Sequence, residues 1–304
     1  MSSAFQLQWR TRRLLSFLAL GCGALGCATP RPEPATPSAE QQVSGGVAGA
    51  VIDASPIQWQ PGVAAYDLPV AGQGTRSVLV WVPEAASPRT LVVLLHGRVV
   101  ARPRSQTLDP LGPGRALVSC LVAPALGFLD PIILAPRSPT GQWWARSETE
   151  LVLGLVLAAR SRWPEAGAHS VILGYSNGGI GTWFFARLYA EYFRAAIPMA
   201  FSDAIVGESR LPLYAIVGTK DEQFDFPAVR DAVQALRARG QDVTLDAKYR
   251  GSHSAPCSYV PELTRAGHWL DEHVFARGEP PATQPSLPQP SLPQPSPATG
   301  VRAP

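Results

Sequence analysis

The stretch VILGYSNGGIGTWFFARLYAEYF (residues 171–193) changes character partway along. It opens on apolar and β-branched residues, passes through a corner of small ones, and continues with the spacing of a helix. Ser176 stands at the corner between Gly174 and Gly178, in the pattern GxSxG. A strand that turns this sharply into a helix needs small residues on either side, because the two backbones approach closely there. A serine at such a turn is a candidate nucleophile if the chain also supplies a base, an acid and oxyanion donors. The plain alternative is a glycine-rich corner between two elements.

Composition bounds the answer. With 304 residues, 46% hydrophobic and 16% charged, the chain can bury a large core. Its net charge of +3 is mild, and its Arg and Lys residues are scattered rather than gathered. No phosphate-binding face, and hence no nucleic-acid partner, is expected.

The two ends differ from the middle. MSSAFQLQWRTRR is polar and basic, and the LLSFLALGCGALGC that follows is apolar but too short for a stable bilayer anchor. This is the plan of an export signal over residues 1–27. Two ALGC tetrapeptides, ending at Cys22 and Cys27, resemble the lipobox of bacterial lipoproteins, with Ala in the position where Leu is commonest. The resemblance implies lipidation of one of these cysteines and membrane anchoring through it. The alternative is an ordinary secretory signal with incidental cysteines. Residues 28–56 are rich in Pro, Ala, Ser and Gly without an apolar period, so they read as a disordered tether. Residues 278–304 carry the proline repeat QPSLPQPSLPQPSP, a semi-rigid spacer or disordered tail. One catalytic domain is expected over residues 57–277.

That domain alternates. RSVLVWVPE, TLVVLLHG, DPIILAPRSP, FRAAIPMAFSD, LPLYAIVGTKDE and QDVTLDAKYRG read as strands, with the opening strand of the elbow among them. SETELVLGLVLAARSRWP reads as a helix capped by Ser147 with Glu150 three residues on. PAVRDAVQALRARG is amphipathic and ends at Gly240, and a last helix covers residues 261–277. Apolar strands with little polar alternation, separated by helices, imply a mostly parallel sheet with helices on both faces. The fold class is α/β.

In such sheets reactive groups gather at the carboxyl ends of the strands, where Ser176 lies. Histidine is the usual base for a serine hydroxyl. Of five histidines, His96 follows a strand where an oxyanion loop would be built, His169 is at the wrong end of the sheet, and His268 and His273 fall in the last helix. His253, in YRGSHSAP after the last strand, has the right context. The acid expected to orient it is Asp221, just past a buried strand. Glu222 and Asp225 are close neighbours, and Asp203 after the preceding strand is a second candidate. The order Ser176, Asp221, His253 is that expected of an elbow of this kind.

These pieces together resemble the α/β-hydrolase fold enzymes, most of all the phospholipase/carboxylesterase and dienelactone hydrolase-like esterases. LLHG, GYSNGG, GTKDE and GSHSAPCSYVPEL carry the likeness over most of residues 91–274. The resemblance implies Ser176 as nucleophile, Asp221 as acid and His253 as base. It also implies an oxyanion hole made by the backbone N–H groups of Asn177 and Arg98. One departure is the bulky, basic HGRVVARPRSQ, where the family continues HG with glycine and an acidic residue. The implied activity is hydrolysis of a small-molecule or lipid ester with no metal or cofactor. A serine peptidase and a non-catalytic binding protein on the same fold are the alternatives.

Trp143, Trp144 and Phe224, with Phe128 and Phe226, are candidates for an apolar substrate pocket or for core packing, and residues 99–128 for a cap over the site. Cys120 and Cys257 remain as an even pair, either bridged or simply buried.

Overall fold

The computed structural model describes residues 52–98 and 112–277. The expected signal with Cys22 and Cys27, most of the tether, the loop of residues 99–111 and the proline-rich tail lie outside the described residues.

Eight strands form one sheet in the order β1-β2-β4-β3-β5-β6-β7-β8. β1 (Gly62–Val70) and β2 (Gly74–Val82) are an antiparallel hairpin, and β2 also runs antiparallel to β4 (Pro131–Pro136). β3 (Thr90–Leu95), β4, β5 (Ser170–Tyr175), β6 (Ala195–Met199), β7 (Leu213–Gly218) and β8 (Val243–Lys248) are parallel. The apolar runs that predicted buried strands are buried from end to end in β3, β4, β5, β6 and β7.

Side-chain alternation divides these strands between two cores. Leu91, Val93, Leu95 and Ile172 face α3 (Arg146–Arg162), α4 (Pro164–Ala168), α5 (Asn177–Leu188) and α6 (Phe226–Ala238). Val92, Leu94, Val171 and Leu173 face a helix over Gly112–Leu129 and another beginning with α7 (Val260–Trp269). The first of these runs as α1 (Gly112–Leu117), a π turn (Val118–Val122) and α2 (Ala123–Leu126). α7 continues into a π turn over Leu270–Phe275. The sheet is therefore covered on both faces, as expected.

Several expectations need correction. Gly112–Leu129 is apolar and long enough to cross a membrane, yet Leu121, Val122, Ala125 and Leu126 are fully buried on the sheet. This part of the expected cap is core. The folded chain also begins ahead of residue 57: Ile52 bridges to Val70, and the Asp53 N–H donates to the Pro69 carbonyl at 3.1 Å. Ser147 does not cap α3, whose N-cap is Ala145 without a side-chain bond. The Glu150 carboxylate that a capping box would need is taken by Arg146 at 2.7 Å and Gln73 at 3.0 Å. β1 escaped the sequence reading because most of its residues alternate half-exposed and exposed, as an edge strand allows, and only Leu68 and Val70 near its end are buried.

Candidate active site

β3 lies between β4 and β5, so the chain leaves β3 toward one edge of the sheet and later returns to its other side. The crevice at the carboxyl ends of β3 and β5 is a topological switch point, where open α/β sheets place their ligands. Ser176 follows β5 there and His96-Gly97-Arg98 follows β3.

Ser176 adopts φ 59°, ψ −120°, a strained backbone for a residue with a Cβ. Its neighbours hold it there. The Ser176 N–H donates to the Met199 carbonyl at 3.0 Å, and its own carbonyl accepts from Ile180 N–H at 3.0 Å. A Cβ on Gly174 would overlap the Gly178 backbone, and one on Gly178 would overlap the Leu95 carbonyl. One on Gly179 would strike the Met199 carbonyl. The glycines are thus required by close backbone approach on three sides of the turn.

His253 and Asp221 meet this serine. The His253 Nε2 is 2.9 Å from Ser176 Oγ, and its Nδ1 is 2.8 Å from Asp221 Oδ2. A carboxylate only accepts, so Nδ1 carries the proton and Nε2 is free to accept from the serine hydroxyl. Asp221 Oδ1 accepts the N–H groups of Gln223 and Phe224, each at 2.9 Å. Burial works to raise the Asp221 carboxyl, but the hydrogen bonds from His253, Phe224 and Gln223 prevail and hold it below the usual carboxylate range. The loops bearing Asp221 and His253 are stitched together. Thr219 N–H donates to the Lys248 carbonyl and Lys220 N–H to the Gly251 carbonyl, both at 3.0 Å.

Two further residues hold His253. The Glu222 Oε2 accepts the His253 N–H at 2.8 Å, and the Tyr175 hydroxyl donates to the His253 carbonyl at 2.9 Å. Burial pushes the Tyr175 phenol up, so it stays a donor. A signal for Tyr175 existed: it shares strand parity with Val171 and Leu173, whose face is covered by α7, next to the His253 loop. For Glu222 the sequence offered only adjacency to Asp221. The other acidic candidates lie elsewhere. Asp225 caps α6 through Ala228 N–H at 3.2 Å, and Asp203 sits in a short 3-10 turn.

Asn177 is the first residue of α5, so its N–H has no intrahelical partner. Gly97 is packed on the serine: a Cβ there would be 3.2 Å from Ser176 Cβ and 3.7 Å from Oγ. Arg98 follows Gly97 directly in the chain.

The aromatic candidates separate. Phe224 lies 5.3 Å from the His253 ring, edge-on, and Trp144 is 42% exposed. Trp143 is fully buried, with its indole N–H donating to the His96 carbonyl at 2.8 Å, so it is scaffold and no pocket wall. Phe128 stacks on His268 at 4.6 Å, just ahead of the amino end of β4, far from the carboxyl-end crevice. Cys120 and Cys257 are joined as a disulfide. It links the π turn after α1 to the 3-10 turn (Pro256–Tyr259) just beyond His253.

A mostly parallel sheet covered on both faces, with a serine elbow after β5, is the α/β-hydrolase fold. FphF, a fluorophosphonate-binding serine hydrolase of Staphylococcus aureus, superposes with a TM-score of 0.55 at 14% identity, covering 69% of this chain and 99% of its own. Thermogutta terrifontis esterase 2 gives 0.52 at 13% identity, covering 70% of this chain and 94% of its own. The Pyrococcus horikoshii acylaminoacyl peptidase gives 0.50 at 11%, covering 69% and 41%. At such identities the likeness is one of fold. No protein-family model and no curated protein matches the sequence.

Proposed function

We propose that the protein is an exported serine hydrolase that cleaves carboxylic esters through an acyl-enzyme. The observation that carries this reading is the unbroken chain Ser176 Oγ, His253, Asp221, with heavy-atom distances of 2.9 and 2.8 Å, on a strained elbow at the switch point. Ser176 Oγ attacks the ester carbonyl while His253 Nε2 takes its proton, and the Asn177 and Arg98 N–H groups receive the oxyanion. The tetrahedral adduct collapses, and His253 returns the proton to the departing alcohol. Water then enters with His253 again as base, and the acid leaves, restoring Ser176.

Replacing Ser176 with Ala should lower kcat on p-nitrophenyl esters by roughly a thousandfold or more, since such residues act as a unit. It should also abolish labelling by a fluorophosphonate probe. Near-normal hydrolysis by folded Ser176→Ala protein would sink the assignment. The Cys120–Cys257 disulfide supports export, because such bonds persist in oxidising compartments. We place the anchor on Cys22 or Cys27, to be tested by palmitate incorporation into Cys22→Ser and Cys27→Ser variants; incorporation by the double variant would rule this out.

A further inference from the structure

Behind the serine lies a set of buried polar groups that the acyl-transfer steps do not use. His96, 2% exposed, meets two backbone partners of opposite polarity. Its Nδ1 is 2.7 Å from the Gly97 carbonyl, and its Nε2 is 3.0 Å from the Ser138 N–H. A carbonyl only accepts and a backbone N–H only donates, so the proton sits on Nδ1 and the lone pair on Nε2. Neither the other tautomer nor the imidazolium satisfies both partners.

The His96 carbonyl receives the Trp143 indole N–H at 2.8 Å, and the two rings meet edge-on at 5.0 Å. Ser138 is fully buried; its Oγ accepts the Gly141 N–H at 2.9 Å and bonds to Glu148. Glu148 is anchored in turn by Arg76 at 2.6 Å. Gly141, at φ 70°, presses on the loop, since a Cβ there would lie 3.1 Å from the Gly97 carbonyl and 3.2 Å from Arg98 Cα. The His96 ring and Gly141 both bear on the Gly97 and Arg98 backbone, which follows the end of β3.

We propose that Ser138 and Trp143 are positioning residues for the oxyanion loop, acting through a single neutral tautomer of His96 to hold the Arg98 N–H against Ser176. The proposal rests on the serine hydrolase reading for its catalytic consequence. Oxyanion donors work because they are oriented before the charge develops. Loss of a donor outright costs roughly 100- to 1,000-fold in kcat, so loosening one should cost part of that, on the order of 10- to 100-fold.

The molecule supplies a control. Trp183 is also fully buried, but its indole N–H has no partner among the described residues. Trp→Phe at 143 and at 183 therefore separates a lost hydrogen bond from lost volume. The full chain would be compared as wild type, Trp143→Phe, Ser138→Ala, Ser138→Thr and Trp183→Phe. The measurements are p-nitrophenyl butyrate kinetics, inhibition by phenylboronic acid, and hydrogen exchange at the Ser138 and Gly141 amides.

Trp143→Phe and Ser138→Ala should lower kcat about 10- to 100-fold with KM within about threefold, and weaken boronic acid inhibition in parallel. Exchange at the two amides should quicken at least about tenfold, because their acceptors are lost or displaced. Ser138→Thr should restore most of the rate, and Trp183→Phe should change neither rate nor exchange. If folded Trp143→Phe keeps wild-type kcat and exchange, the proposal is overturned, even where Ser138→Ala fails to fold. Faster exchange in the variants of a wild type that hydrolyses no ester would remove the hydrolase reading and still support the positioning of the loop through His96.

Discussion

At the residue scale, the proposed mechanism depends on how His253 is held as much as on its contacts with Ser176 and Asp221. The His253 backbone is pinned from both sides, its N–H by Glu222 and its carbonyl by Tyr175. The Glu222 carboxyl is held below its usual range by hydrogen bonds from Ser252 and His253, so at neutral pH it is a charged acceptor facing the base loop. Glu222→Ala should lower kcat by roughly three- to tenfold with KM unchanged, while Glu222→Gln, which keeps an acceptor oxygen, should stay within about twofold. Equal losses in the two variants would refute this role. His96 makes a prediction about pH. Burial lowers its pKa from the ordinary 6.5, with nearby Arg137 pushing the same way and the Gly97 carbonyl opposing. The unfolded chain therefore binds the proton first as pH falls, and stability present above pH 6.5 is lost below it, by up to about 1.4 kcal/mol per pH unit. Urea unfolding at pH 7.5 and 5.5 should show a smaller loss on acidification for His96→Gln than for wild type.

The elbow is where element-scale geometry is least forgiving. Strand β5, helix α5 and the ends of β3 and β6 converge on four residues, and Gly178 fits only because it has no Cβ to strike the Leu95 carbonyl. Gly178→Ala should cost on the order of 3 kcal/mol, since the obstruction is backbone and cannot rotate away. Gly127, in a right-handed turn with open space around it, is the contrast. Gly127→Ala should be neutral or stabilise by about 0.5 kcal/mol through the unfolded chain. Thermal melts of the two variants would test both statements, and similar Tm values would refute the first. The same scale explains why some elements were legible. The buried parallel strands announce themselves as apolar runs, and α6 by its amphipathic period and its Asp225 cap. The helix over Gly112–Leu129 begins on Gly-Pro-Gly and is interrupted by a π turn, so no helical signature marks it.

At the scale of the whole molecule, two segments that cover the same face of the sheet are tied together by the one disulfide among the described residues, which joins cysteines 137 residues apart in sequence. Chain entropy alone assigns a bridge of that span about 5 kcal/mol, and measured values run from about 2 to 5 kcal/mol. Reduction, or a Cys120→Ser/Cys257→Ser double substitution, should therefore lower the free energy of unfolding by that order, with reduced kcat because His253 lies four residues from Cys257. A Tm unchanged by reductant would contradict this. The sequence by itself determined the α/β architecture and singled out Ser176, Asp221 and His253 for one site, because both are written in local signals: apolar runs, small residues at a sharp turn, polar residues just past strand ends. The tertiary structure alone decided what each loop touches. It joined Cys120 to Cys257, set Tyr175 against His253, 78 residues away, and turned Trp143 from a pocket candidate into a strut beneath His96. Those contacts follow from the order of strands in the sheet, a long-range property that no local period encodes.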